Sequence, residues 1–217
     1  MNYCKRFLQA LKPALILTLI LMLICGLAYP LMMTGLSQVI FPAQANGDLI
    51  FVDGQPVGSV HVGQEFTEDY FMKGRPSAVH YNTYQVDSEG NQTYHDGSEF
   101  GGVASGSSNY GPSNPALQER VEQDIEAFLA ANPDISREDI PTDLMTASGS
   151  GLDPHISPKA AQIQLPKISE ASGLSMETLE QIVADNTEGK FLGIFGQETV
   201  NVLNVNIDIA AAMESAK

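Results

Sequence analysis

Between Pro13 and Gly47 no position carries a charged side chain, and the run Ala14–Met33, ALILTLILMLICGLAYPLMM, is almost wholly apolar. About 20 apolar residues in helix cross a hydrocarbon core about 30 Å thick while satisfying their own backbone polar groups. The pattern therefore predicts a transmembrane helix over 13–33, with Pro30 kinking its outer end. Residues 34–48 read as a juxtamembrane connector. Beyond it the pattern shortens to that of a folded domain. Leu49–Val52 and Val57–Val62 flank Asp53-Gly54, a hairpin signal. Residues 87–114 are polar and glycine-rich and read as an irregular loop or insert.

Helical periods follow. Asn114-Pro115 supplies a cap and a first-turn proline, and Leu117, Val121, Ile125, Phe128 and Leu129 form one apolar stripe ending before Pro133. Ser157-Pro158 opens a second helix, interrupted near Pro166 and ending at Gly173. Ser175 caps a third to about Asp185, with Leu179, Ile182 and Val183 inward. Val200–Ile209, VNVLNVNIDI, alternates well enough to read as a strand with a bulge. The expectation is one N-terminal transmembrane helix followed by an α/β (α+β) extracytoplasmic domain over 49–217.

Charge sets the orientation. The 217 residues carry a formal −15, but Lys5, Arg6 and Lys12 precede the apolar run and no acid occurs before Asp48. From Met33 onward 8 bases face 26 acids, a net −18. The positive-inside rule puts residues 1–12 in the cytoplasm and the acidic domain outside. A cleaved signal peptide would use Gly26-Leu27-Ala28 as its small-x-small site. Apolar character continues five residues past that point, which favours a retained anchor. A lipoprotein signal fits poorly, because Ile24 precedes Cys25 where a small residue is expected. Nucleic acid is excluded as a partner for want of clustered Lys and Arg. Both cysteines, Cys4 and Cys25, lie in the N-terminal segment, so no disulfide framework or thiolate metal site belongs to the domain.

Candidate chemistry is sparse. Gly189-Lys190 lacks the rest of a phosphate-binding loop, and neither Ser148 nor Ser150 sits in a nucleophile elbow. The four histidines are isolated from one another, which argues against a metal site. Glu122, Asp124 and Glu126 read as a solvated helix face. A triad could be drawn from Ser150, Asp153 and His155, but any polar turn offers as much. Pro141–Pro158, PTDLMTASGSGLDPHISP, reads as a short apolar strand, a Gly-Ser turn and a capped helix. Its plain role is a connection whose Ser and Asp side chains satisfy backbone donors. The sharper one is a docking surface for a partner subunit. The other function classes are an anchored small-ligand binding protein using the Gly/Ser loops and a tethered hydrolase using Ser150 or His155.

Five runs carry a resemblance: Tyr70-Phe71 with Gly74–Ala78, Asn109–Pro115, Asp143–Pro158 with its ASGSGLDPHIS core, Asn186–Lys190, and Asn201–Asn206. In that order, behind one N-terminal span, they resemble the C subunit of the bacterial Kdp potassium-transporting P-type ATPase. The chain differs in a longer stretch near Tyr84–Asp96 and in Lys190, where the family more often has arginine. The resemblance implies a non-catalytic accessory subunit at the outer face of a channel-like potassium-selecting subunit in the cell inner (plasma) membrane. It implies as further partners a P-type ATPase subunit and a small single-span subunit. No cofactor is expected on this chain; ATP, Mg and K are expected on the partners. The residues singled out for docking or structure are Gly74, Arg75 and Pro76 with Ser148, Gly149, Ser150, Gly151, Asp153, Pro154 and His155.

Overall fold

The computed structural model describes residues 3–216, so the first two residues of the 1–12 segment and the last of the 49–217 segment lie outside it. The chain forms two compact units, with the boundary between Leu49 and Ile50.

The first unit is helical. Helix α1 (Tyr3–Leu23) passes through a π-turn (Ile24–Ala28) into α2 (Tyr29–Ile40), and a short α3 (Pro42–Ala45) follows. The stretch Lys5–Ile40 is, among the described residues, the one helix long and apolar enough to cross a membrane. At 1.5 Å per residue its 36 residues reach about 54 Å, well beyond a hydrocarbon core. The span expected over 13–33 is thus the middle of a longer helix, and Thr34–Ile40 continues it where a connector was expected. The π-turn has a local cause. Pro30 offers no N–H and its ring crowds the carbonyl one turn back, and a wider turn just before it relieves both.

A hairpin whose first residue lies at the unit boundary, β1 (Leu49–Val52) with β2 (Gln55–Ser59), opens the second unit. Asp53 and Gly54 both have positive φ (50° and 77°), as a two-residue hairpin turn requires. A segment without regular strands or helices, turning at 60–61 and 68–71, then runs to Ser77. The polar stretch expected to be irregular, 87–114, supplies the turn and second strand of another hairpin, β3 (Gln85–Val86) with β4 (Gln92–Thr93), in register Gln85↔Thr93. It is organised by aromatic contacts that spacing does not reveal: Tyr84 stacks on Phe100 at 4.5 Å and His80 meets Tyr94 at 4.6 Å.

Helix α4 (Pro115–Ala131) starts where Asn114 accepts a hydrogen bond from Ala116 N (2.9 Å). The five apolar positions expected to face inward are half-buried or buried, Ile125 most, and Arg120 and Asp124, paired with each other, are half-buried beside them. Strand β5 (His155–Ile156) leads into α5 (Pro158–Gln162), capped by Ser157, and α6 (Leu165–Ser172), ended by Gly173 at φ 75°. Helix α7 (Met176–Asp185), β6 (Thr187–Glu188) and β7 (Thr199–Asn201) complete a three-stranded antiparallel sheet in the order β5-β7-β6. This mixed domain is an α+β arrangement on small antiparallel sheets. The core lies between that sheet and α4 to α8, with Val200, Ala160, Ala161, Val205 and Ile209 at or near zero exposure.

Two sequence expectations change. The short apolar strand expected at the start of Pro141–Pro158 is a 3-10 turn (Thr142–Leu144). The C-terminal run is a strand only through Asn201; from there α8 (Val202–Ser215) continues. Asn201 caps that helix by accepting from Asn204 N at 3.1 Å. The buried positions Val202, Leu203, Val205, Asn206 and Ile209 then follow a helical period. Asn206 supplied the misleading polar beat: it is polar yet only 1 % exposed.

Candidate functional site

The segment singled out in the sequence folds into a junction. Ser148 is buried and its Oγ accepts from Gly151 N (2.8 Å); Ser150 Oγ accepts from Leu152 N (3.1 Å). These bonds close the SGSG turn on itself. Its carbonyls are used by other parts of the chain. Ser150 O accepts from Gly106 N (2.7 Å) and Ser105 Oγ (3.1 Å), Gly151 O from Ser77 Oγ (2.6 Å), and Leu152 O from Gly63 N (2.8 Å). Pro154 O accepts from Val202 N (3.0 Å), joining the turn to the start of α8.

Charge completes the junction. Arg75 Nη1 pairs with Asp153 Oδ2 at 3.0 Å, while its Nε and Nη2 donate to Thr146 O at 3.3 Å. The other Asp153 oxygen accepts from His155 N (3.0 Å). Ser157 N and Oγ donate to Asp143 (2.7 and 3.1 Å), so Asp143 holds the entry to α5. Gly74 is needed because a Cβ there would stand 2.8 Å from Tyr81 Oη. Pro76 lines a cavity of about 310 Å³ together with Ser77, Asn109, Tyr110, Arg120 and Thr146. Gly149 is at the open tip, where a Cβ would meet nothing within 4 Å. A second, more polar opening of about 660 Å³ is lined by Arg75, Asp153, His155, Asp143 and Lys159. Nine of the ten singled-out residues are thus engaged in one place, and Gly149 caps it.

Residues to which the sequence assigned no role also matter. His80, Tyr81 and Asn82 all have left-handed φ (47°, 52° and 57°), a turn that costs L-residues about 1–2 kcal/mol each. It is held by its neighbours. Ser77 Oγ accepts from Tyr81 N (3.0 Å), Tyr81 Oη donates to Arg75 O (2.7 Å), and the Asn82 amide exchanges two 2.9 Å bonds with the Ala104 backbone. Burial, followed by the nearby Asp153 carboxylate, pushes the Tyr81 phenol up to about 12. A phenol protonated more tightly in the folded state than at its ordinary value of about 10 adds stability that is complete below that pH. The stability is lost as pH rises through about 12. Unfolding free energies from denaturant titrations should therefore fall across that interval by on the order of 2 kcal/mol more in the parent chain than in Tyr81→Phe.

A nucleophilic triad is not assembled. Asp153 is committed to Arg75 and to His155 N, and its distance to His155 Nδ1 is 3.8 Å, beyond a hydrogen bond. Ser150 Oγ is occupied by Leu152 N and lies 3.5 Å from Ser148 Oγ. The helix carboxylates have structural partners: Glu122 pairs with Arg137 and Asp124 with Arg120. Among the described residues no group of three or more His, Cys, Asp or Glu is placed to hold a metal ion. The junction organises backbone and presents a polar, partly open surface.

One helix long and apolar enough to cross a membrane, followed by an acidic α+β domain, is the layout of a single-span membrane-associated protein. The sequence model of the family described as KdpC, K+-transporting ATPase, c chain, matches residues 11–211, and the chain belongs to that family. It is 57 % identical over 204 residues to the potassium-transporting ATPase KdpC subunit of Clostridium kluyveri, covering 94 % of each chain. Identity to the Clostridioides difficile KdpC subunit is 53 %, over 94 % of this chain and 97 % of the relative. Identity to that of Caldanaerobacter subterraneus is 42 %, over 96 % and 98 %. The chain is accordingly an accessory subunit of a potassium uptake pump. Nothing in the comparisons supports an anchored small-ligand binding protein.

Proposed function

We propose that this subunit sits in the plasma membrane with residues 1–12 in the cytoplasm and 49–217 outside, bracing the outer loops of a channel-like potassium-translocating subunit. Nucleotide hydrolysis and the ATP, Mg and K sites are assigned to partner chains, a P-type ATPase subunit among them, with a small single-span subunit as a further neighbour. The observation that carries the reading is the family match across residues 11–211, which takes in both the apolar helix and the folded domain. Orientation is supported by Lys5, Arg6 and Lys12 before the span and the absence of any base from there to Lys73. A domain on the outer side does not meet cytoplasmic ATP, so any influence on nucleotide affinity passes through conformational coupling. The net −18 beyond Met33 gives a second contribution, raising potassium concentration near the outer mouth within a screening distance of about 8 Å.

One preparation tests both parts. Solubilised in mild detergent from cells expressing the whole ATPase, the chain is expected to co-purify with much larger membrane proteins; emergence alone would refute the reading. With exposed acids neutralised in groups, the assembly is expected to show weaker apparent potassium affinity at low potassium and low ionic strength. Unchanged affinity would remove the concentrating role and leave the bracing role.

A further inference from the structure

The connection between β6 and β7 bears four large apolar side chains that nothing in the domain covers. Phe191, Leu192, Ile194 and Phe195 are 71 %, 74 %, 75 % and 62 % exposed. They are held in a fixed shape. Phe191 N donates to Phe195 O (2.8 Å) and Phe195 N to Phe191 O (3.0 Å), an antiparallel bridge closed through Leu192 and Gly193 at φ 53° and 72°. The loop runs on into β7, the central strand of the sheet, where Val200 is wholly buried and Asn201 nearly so. A rigid apolar knuckle is therefore mounted on the core. Its exposed apolar area is on the order of 500 Å², in the range of the largest patches that monomers carry.

We propose that Phe191–Phe195 is a docking knuckle that inserts into an apolar recess on a membrane-embedded partner chain of the same ATPase. The proposal rests on the preceding reading that the chain works inside an assembly. Three occupants compete, and the chemistry separates them. A second copy would bring two domains of about −18 together. With no other contact to add, pairing through the knuckle alone would also bury less than the roughly 800 Å² per partner of a stable interface, whereas a chain of the same assembly does not need the knuckle to supply the whole interface. A lipid surface is disfavoured by charge, because interfacial anchors join their apolar face to Lys and Arg, whereas Glu188 and Glu198 flank the knuckle and Lys190 is the one base in the loop. A protein recess takes the convex aromatic tip as an anchor and offers rim donors to the two glutamates, the usual layout of a buried interface centre.

The test uses the full chain co-expressed with the other subunits. A photoreactive phenylalanine analogue at Phe195 is expected to form a cross-link to another subunit of the ATPase, and the same analogue at exposed Val103 is expected not to. Cross-linking to lipid, to a second copy or to nothing would overturn the proposal. In parallel, Phe191→Ser/Leu192→Ser/Ile194→Ser/Phe195→Ser, and separately Ile194→Asp, should reduce co-purifying partner about tenfold or more while the chain stays in the membrane fraction. Undiminished co-purification of both variants refutes the knuckle and leaves the accessory-subunit reading intact. A parent chain that purifies alone refutes that reading, and the knuckle with it.

Discussion

Asn206→Leu is expected to destabilise the folded domain by about 3 kcal/mol, a fall in Tm of roughly 6–12 °C for a chain of this size. Asn206 lies on α8 and is 1 % exposed. Its Oδ1 accepts from Met72 N at 2.7 Å and its Nδ2 donates to Met72 O at 2.9 Å. One side-chain amide thus replaces the neighbouring strand that the segment around Met72 lacks. Leucine keeps the volume but leaves a buried N–H and a buried C=O unpaired, each costing about 1–3 kcal/mol. Asn206→Asp should be at least as harmful: it keeps an acceptor for Met72 N and sets a carboxylate against Met72 O. The next residue is held in the same way. Gln164 accepts from Lys73 N (2.8 Å) and donates to Lys73 O (3.2 Å). Thermal unfolding of the full chain in detergent, followed by aromatic signals, checks the prediction; a shift within about 2 °C would contradict it.

Gly151→Ala is expected to cost about 2–4 kcal/mol and to loosen the motif junction, whereas Gly149→Ala, two residues away, should be nearly neutral. Gly151 has φ 68°, a conformation that costs alanine about 1 kcal/mol. A Cβ there would also stand 2.7 Å from Gly106 O and 2.7 Å from Val79 Cγ2. The carbonyl cannot swing aside like a side-chain end, because Gly106 N is bonded to Ser150 O in the same contact. Overpacking of this kind shifts backbone and adds to the conformational cost. Gly149 has open space around the corresponding position. The paired comparison isolates the close approach from the loss of glycine as such. Equal denaturation midpoints for the two variants would show that the junction gives way freely. Incorporation into the pump assembly should fall for Gly151→Ala in step with its stability.

Local signals were legible wherever the deciding interaction is local. Asn114, Ser157 and Ser175 cap the helices they precede, since a cap needs only a side-chain oxygen two or three residues from an amide. The stripe from Leu117 to Leu129 faces inward as its spacing requires. The polar motifs were recognisable as runs, and the ASGSGLDPHIS segment was marked for docking or structure. Its use as a junction was not legible. Thr146, Ser77, Gly63 and Gly106 act on Arg75 or on the turn between Ser148 and Asp153 from far along the chain, and the left-handed turn His80–Asn82 leaves no trace in composition. The C-terminal run shows how such a reading fails. A buried asparagine at an inward helical position looks like the polar beat of a strand until its partner, 134 residues away, is seen.

The order of residues by itself determined the span-length apolar helix, the sign and location of the charge, the capped helices and the membership of the family. Each depends on neighbours within a few turns of chain, or on a sum over the whole of it. Only the tertiary structure decided that α8 is a helix, that Met72 and Lys73 take their hydrogen-bond partners from side-chain amides, and that four apolar side chains of the β6–β7 connection stand clear of the core. Those outcomes depend on which distant groups come within about 3 Å of one another, and hydrogen bonding and burial at that range carry no periodic mark along the chain.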